Sequence, residues 1–294
     1  MEQNDVKESR RVLRRIQDHL YAAHANLGAQ RETVNLVDVM VHPTSTLASL
    51  NYVTPRRSTA WVSGEMIAQG LAYLRQKDRI PRVHYIEGLF PPVFARSLYA
   101  LDLELEWETS IMAYLPQGFS NRLPSPVALD PLPDGIRLET VTDERGIQLW
   151  WYVWRSAFYE VAVSGAEPLF AGRDLTALKQ GSQIDILLYQ KQAAVGVARL
   201  SIHGETAHLL ALALMKEAQT PELLRLLYAA TIDRAIQRGC TLIYAPGQSE
   251  THRQAARALG FLDFGSIVCY AARVPKTYEV QDEYVLGQPV LTLR

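Results

Sequence analysis

IDILLYQKQAAVGVARLSIHGETAHLLALALMKEAQTPELLRLLYAATIDRAIQRGCTLIYAPGQSETHRQAARALGFLDFGSIVCY, residues 184–270 of this 294-residue chain, decides the fold. Three apolar runs, Ile184 to Tyr189, Ala194 to His203 and Thr206 to Met215, read as consecutive strands. The last two are joined by the tight turn His203-Gly204-Glu205-Thr206. Thr220 and Pro221 then mark the start of a helix to Arg238, as a cap residue followed by a proline that the first turn tolerates. A strand over Thr241 to Ala245, a short helix over Glu250 to Ala258 with Ser249 as its cap, Leu259-Gly260-Phe261 and a final strand complete the order. His208 to Met215 is almost continuously apolar, as befits a central strand buried on both faces.

Outward from this stretch, Ile136 to Val141 reads as a strand, and Trp150, Trp151, Trp154 and Phe158 lie along a helix after it as an aromatic core stripe. Before that, Gln117 to Gly135 is rich in proline and aperiodic, which makes it a linker. The N-terminal part predicts a helix through Val12, Leu13, Ile16 and Leu20, then strands over Thr33 to Val41 and Leu47 to Val53. A helix over Ala60 to Lys77, a strand over Arg82 to Ile86, a helix opened by Pro91-Pro92 and ending at Tyr99, and a strand over Leu103 to Tyr114 follow. The expected domains are 1–117, a linker at 118–134, 135–274, and a tail at 275–294 that supplies an edge strand. The order strand, turn, long helix, strand, short helix, strand occurs at Leu47 to Tyr114 and again at Thr206 to Tyr270, a faint internal repeat.

The bulk numbers exclude several classes. A hydrophobic fraction of 48% and a charged fraction of 21% are those of an ordinary globular protein. A net charge of -1 gives no electrostatic case for a nucleic-acid partner. Arg10, Arg11, Arg14 and Arg15 of the first helix are interleaved with Glu8 and Asp18, the pattern of a solvated face. No apolar run approaches a membrane span. The two cysteines, Cys240 and Cys269, form no motif, and a reduced cytoplasmic setting is expected. His203, Glu205 and His208 cluster in sequence, but their spacing matches no metal motif and no metal is expected.

Leu259-Gly260-Phe261 before a terminal strand, with the meander and long helix ahead of it, resembles the GNAT N-acetyltransferase superfamily. The match covers roughly Leu132 to Arg273, and more weakly Thr33 to Leu115. It implies an α/β protein of two tandem GNAT-like domains, each a twisted, mostly antiparallel sheet flanked by helices, the first one truncated. It further implies acetyl-CoA or another acyl-CoA as co-substrate and a small-molecule amine as acceptor; monomer and homodimer stay open. In that family the fourth strand parts from the fifth, and its amides hold the pantetheine and thioester. Here those amides would be Leu212, Ala213 and Leu214, with Thr220 at the pyrophosphate end.

The sequence departs from the family at two places. The glycine-rich turn is replaced by Lys216-Glu217-Ala218-Gln219-Thr220-Pro221-Glu222, which has no glycine and two acids. The tyrosine that serves as general acid corresponds to Ala256, and to Leu98 in the first copy. Ser249, Glu250 and His252 are the substitute catalytic candidates, with helix capping the plainer role for Ser249. In the first copy Arg56 and Arg57 stand at the equivalent turn as alternative phosphate ligands, or as two solvated arginines. Two functions are therefore expected to compete: a GNAT-type N-acyltransferase and a catalytically silent GNAT-like binding or scaffold protein.

Overall fold

The computed structural model describes residues 3–289 apart from 57–58, 60, 121–123, 125–128, 130, 160–167, 248, 274–283 and 286–287. The chain forms two compact units, Met1–Ile111 with Phe264–Arg294, and Met112–Asp263. Each is a mixed sheet with helices packed on it, so the fold is α/β.

The first unit runs α1 (Gln3–Asn26), β1 (Gln30–Val34), β2 (Val37–Val41), β3 (Tyr52–Pro55), α2 (Gly64–Gln76), β4 (Arg82–Ile86), α3 (Val93–Tyr99) and most of β5 (Leu103–Tyr114). The strand expected over Thr33 to Val41 is a hairpin, because Asn35 turns the chain in the left-handed region at φ 53°. Leu47 to Val53 is likewise divided, with a single 3-10 turn at Ala48–Leu50 before β3. Helix α2 starts later than expected, at Gly64, where Ser63 caps Met66 N–H. It lies close on the sheet: a Cβ at Gly70 would come within 2.9 Å of Val37 and Val53. β2 pairs antiparallel with β3, and β3 meets β4 in parallel at one rung, Val53 with Val83.

The second unit holds β6 (Ile136–Thr140), α4 (Glu144–Tyr159), α5 (Pro168–Gln180), β7 (Gln183–Gln190), β8 (Ala193–His203), β9 (Thr206–Leu214), α6 (Pro221–Gln237), β10 (Leu242–Pro246) and α7 (Glu250–Ala258). β6 to β9 form an antiparallel meander, and β10 joins β9 in parallel. Helix α5 has no counterpart in the sequence reading. β11 (Leu262–Ala272) pairs antiparallel with β4, Ile267 opposite Ile86 and Ala271 opposite Arg82, and so completes the first unit's sheet. The sequence reading kept that strand with the second domain. In the tail, β12 (Tyr284–Val285) and β13 (Gln288–Pro289) form a two-stranded pair of their own, and residues 290–294 of the expected edge strand lie outside the described residues.

Two buried polar clusters pin these layers. In the second unit Arg199 on β8 donates to Asp185 on β7 at 2.6 and 2.8 Å and to Asp174 on α5 at 2.8 Å, while its guanidinium lies 4.0 Å from the Trp150 ring centroid. Trp151 of α4 donates to the same Asp174 at 2.8 Å. All three charged side chains are buried, so their value lies in mutual satisfaction. In the first unit His24 Nδ1 lies 2.8 Å from Tyr52 Oη, and His84 packs edge-on against Tyr52 at 4.6 Å. Arg82 grips Glu106 with two hydrogen bonds of 2.7 and 2.8 Å.

Arg199→Leu strands two buried carboxylates, and a loss of about 3–5 kcal/mol in urea unfolding is expected. A loss under 1 kcal/mol would show that the cluster does not hold α4 and α5 to the sheet. Burial pushes His24 down to about 4 and His84 to about 3, the latter helped by its neighbour His24. Both therefore fold as neutral rings. Their contribution is complete above the ordinary value near 6.5 and is lost as pH falls from there through about 4 for His24 and about 3 for His84, because the unfolded chain takes up protons first. Amide exchange of β3 and β4, corrected for intrinsic rate, should accelerate on going from pH 7 to pH 5, and pH-independent protection would refute the assignment.

Candidate functional site

The site is built where β9 outruns β10. Their parallel pairing covers three rungs, Leu242 with Thr206, Ile243 with Ala207 and Tyr244 with His208. At the last rung the His208 and Tyr244 rings stack, 4.2 Å apart and 6° from parallel. β9 continues to Leu214, and beyond His208 it has no register partner on β10.

A second irregularity lies on the other edge of β9. The register with β8 passes from Leu200 opposite Leu209 to Arg199 opposite Ala211, skipping Leu210. Such a bulge reverses the alternation of side chains. Core packing records the reversal: Ala207, Leu209, Leu212 and Leu214 enter the cluster beneath α6, whereas Ala211 and Ala213 face Trp150 and Trp154. Leu209 and Leu212, three residues apart, share a face that a regular strand would deny them.

The backbone follows the same alternation. Met215 N–H donates to Val195 O at 2.8 Å, so Met215 points its amide at β8. Since successive residues of an antiparallel strand direct N–H and C=O to opposite edges, Ala213 also faces β8, while Leu212 and Leu214 face the edge that β10 leaves. Of the three amides expected at a thioester, two are turned to the opening and Ala213 is turned into the ladder.

At the end of β9 the chain makes a 3-10 turn, Lys216–Ala218, and enters α6. Thr220 Oγ1 accepts from Leu223 N–H at 3.2 Å and Thr220 O accepts from Leu224 N–H, as its cap role requires. Pro221 has no N–H to offer. The Leu223 and Leu224 amides of the first turn are thus engaged, and Glu217 and Glu222 stand close to this start in sequence. A helix start stripped of donors and flanked by acids is a poor phosphate cradle.

On α7, Ser249 caps His252 N–H at 3.3 Å. Glu250 is exposed and bound to Arg253 at 2.9 Å and to Arg257 at 3.5 Å, and the Arg253 and Gln254 hydrogen bonds hold it below the usual carboxylate range. His252 is half-buried, and its Nδ1 lies 3.2 Å from the hydroxyl of Tyr228 on α6. Burial pushes the Tyr228 phenol up and the His252 imidazole down, so both are neutral at pH 7. Tyr228 packs with Leu212, Leu214, Tyr114, Ala256 and Phe261 in one cluster. His252 and Ala256, four residues apart, lie on the same face of α7. Tyr228 was hidden from sequence reasoning because it falls in the buried stripe of an ordinary core helix.

In the first unit, the space where β3 and β4 part after Val53 and Val83 is filled by Gln17, Leu20 and Tyr21 of α1, leaving about 10 Å³ beside Thr54 and His84. Arg56 lies 3.9 Å from buried Asp38 and donates to Asn35 O, and Arg57 lies outside the described residues. Among the described residues no group of three or more His, Cys, Asp or Glu side chains could hold a metal ion, and no helix is long and apolar enough to cross a membrane.

No family model matches the sequence, and no curated protein matches it either. Solved structures do. A GCN5-related N-acetyltransferase from Kribbella flavida superposes with a TM-score of 0.67 at 13% identity, over 90% of this chain and 97% of that one. A tandem GNAT protein from the clavulanic acid biosynthesis pathway matches at TM-score 0.53 and 14% identity, over 82% of this chain and 79% of that one. A GCN5-related N-acetyltransferase from Sphaerobacter thermophilus matches at TM-score 0.53 and 11% identity, over 81% of both chains. At these identities the likeness concerns architecture: the chain has the fold of the GNAT N-acetyltransferase superfamily.

Proposed function

We propose that the chain is a GNAT-type N-acyltransferase of its second unit, moving an acetyl or other acyl group from acyl-CoA to a small-molecule amine. The observation that carries this reading is the end of β9–β10 pairing at His208 and Tyr244 while β9 runs on to Leu214. A pantetheine arm entering there would lie along the edge of β9 and complete it as a further strand would. The Leu212 and Leu214 N–H groups are the donors available to the thioester carbonyl, and they strengthen as its oxygen gains charge. The amine nitrogen attacks the carbonyl carbon, the C–S bond breaks, and the acyl group leaves on nitrogen with loss of one proton from the amine. The thiolate then needs a proton.

With Ala256 unable to supply it, the Tyr228–His252 pair is the donor at hand. Tyr228 and Ala256 belong to the same buried cluster, so a phenol reaches this cluster from α6 instead of α7. A phenol kept protonated by burial, in contact with a half-buried imidazole, can hand on its proton and recover one through the ring. Ser249 is spent on the cap and Glu250 on its arginines, which leaves His252 as the useful member of the three sequence candidates.

The second reading, a silent GNAT-like binding protein, rests on the acidic, donor-poor start of α6. It predicts no response to acyl-CoA. Under the proposal, acetyl-CoA at ten times its Kd raises stability by about 1.4 kcal/mol, visible as a rise in Tm. Glu217→Gln with Glu222→Gln should tighten binding several-fold at low salt, because each removes a like charge from a helix start worth about 0.3–1 kcal/mol. No thermal shift at millimolar ligand in either protein would leave the silent reading standing. For turnover with any amine found, Tyr228→Phe should cost about 10²-fold in kcat with KM for acetyl-CoA little changed. Equal losses in Ser249→Ala and Tyr228→Phe would point to packing instead of proton transfer.

A further inference from the structure

A cleft of about 630 Å³ opens at the far end of the second unit, where β6 ends, β7 begins, and α5 and α6 finish. Its size suits an organic ligand. Three cations line it, Lys179 of α5 with Arg234 and Arg238 at the end of α6, and no carboxylate does. Thr140, Thr142 and Gln183 add hydroxyl and amide groups. α6 has 17 residues, so the cleft lies about 25 Å along that helix from Thr220 and the parting strands.

Basic residues at helix C-termini ordinarily offset the helix dipole. Here two carbonyls at the end of each helix are already taken. Gly181 N–H and Ser182 N–H donate to Leu178 O and Ala177 O at the end of α5, and Ser182 Oγ adds a second bond to Ala177 O. Gly239 N–H and Cys240 N–H donate to Ile236 O and Ala235 O at the end of α6. Arg234 is held in place by Thr140 Oγ1 at 3.1 Å, Asp233 at 2.7 Å and Gln237 at 3.1 Å, and one negative charge, Asp233, stands against it. Lys179 and Arg238 make no side-chain hydrogen bond or ion pair among the described residues. The Arg238 guanidinium is nonetheless placed: it lies over Gly181, where a Cβ would come within 2.9 Å of it. Gly181 is also in the left-handed region, at φ 72°, so the turn and the arginine depend on the same residue.

We propose that this cleft binds a small molecule carrying a multiply charged oxyanion, with Lys179 and Arg238 as its direct partners, Arg234 as a fixed cation behind them, and Thr140, Thr142 and Gln183 receiving the polar body. Two guanidinium groups and an ammonium around one opening, with hydroxyls beside them, are the chemistry that recognises phosphate or carboxylate groups in pairs. The site is separate from the acyl-CoA opening, and its occupancy does not depend on transferase activity.

The test is calorimetric titration of the full chain with inorganic pyrophosphate at low salt, with and without saturating acetyl-CoA. One pyrophosphate per chain is expected, and its affinity should fall at least about tenfold in Lys179→Gln with Arg238→Gln. Both side chains are exposed, so the variant's Tm should match the parent's. Arg257→Ala, which removes an exposed arginine engaged with Asp263, should leave the affinity alone. In parallel, the amide resonances of Thr140 and Thr142 should shift on titration in the parent and stay fixed in the double variant. Absence of binding in the parent, equal affinity in the double variant, or competition by acetyl-CoA would each overturn the proposal.

Discussion

The phase slip at Leu210 is the constraint on which the second unit depends. Without it, β9 would keep one alternation from Thr206 to Leu214, and Ala211 and Ala213 would fall on the α6 face in place of Leu212 and Leu214. The small side chains would then line a helix that needs leucine, and leucines would press against Trp150 and Trp154. With it, each face receives side chains of the right volume, and the Leu212 and Leu214 amides turn to the edge that β10 abandons. Packing and the proposed chemistry thus call for the same extra residue. A dense core enforces the geometry, since reversing the slip would misplace four side chains at once.

The parting of β9 and β10 has its own support. The stacked His208 and Tyr244 rings close the last rung, and α6 packs beneath the strand it follows through Leu223, Leu224 and Leu227. On the opposite face Arg199, which lies across from Ala211, is tied by Asp174 and Asp185 to α5 and β7. The edge of β9 is held open between rigid neighbours, which is what a backbone donor site needs in order to bind without reorganising. The phosphate end of the proposed site is less well supplied. Thr220 and Pro221 start α6 well as a helix, and for that reason the turn keeps few amides for a ligand.

Much of this was legible in residue order, and the failures have physical causes. Thr220-Pro221 and Ser249 announced their helices through cap chemistry, and both caps are made as read. The bulge left no mark, because Leu209-Leu210-Ala211-Leu212 contains no glycine, proline or polar residue to signal it. Asn35 turned an apparent long strand into a hairpin by entering the left-handed region, which asparagine tolerates without requiring. α5 escaped notice because Gly172, Arg173 and Asp174 interrupt its apolar spacing, while Asp174, the residue that anchors it, reads as a surface acid. Tyr228 and the Arg238 cleft were invisible for a common reason: each depends on residues from separate elements meeting in space, and no local pattern records such a meeting.

The two departures from the family pattern bear unequally on function. In the proposed reaction, a helix start with Glu217 and Glu222 acts on the ground state, since it would repel a pyrophosphate equally before and during reaction. Its cost is in affinity, a term that leaves the barrier for bound substrate where it was. Under the proposed transfer, the loss at Ala256 concerns the proton of the departing thiolate, which is a transition-state matter, and Tyr228 of α6 is the proposed replacement. Packing alone accounts for the two amides at the unpaired edge, so it is the Tyr228–His252 contact that bears on the proposed chemistry. Weak acyl-CoA binding with the chemistry retained is therefore the more economical account of this arrangement than loss of both.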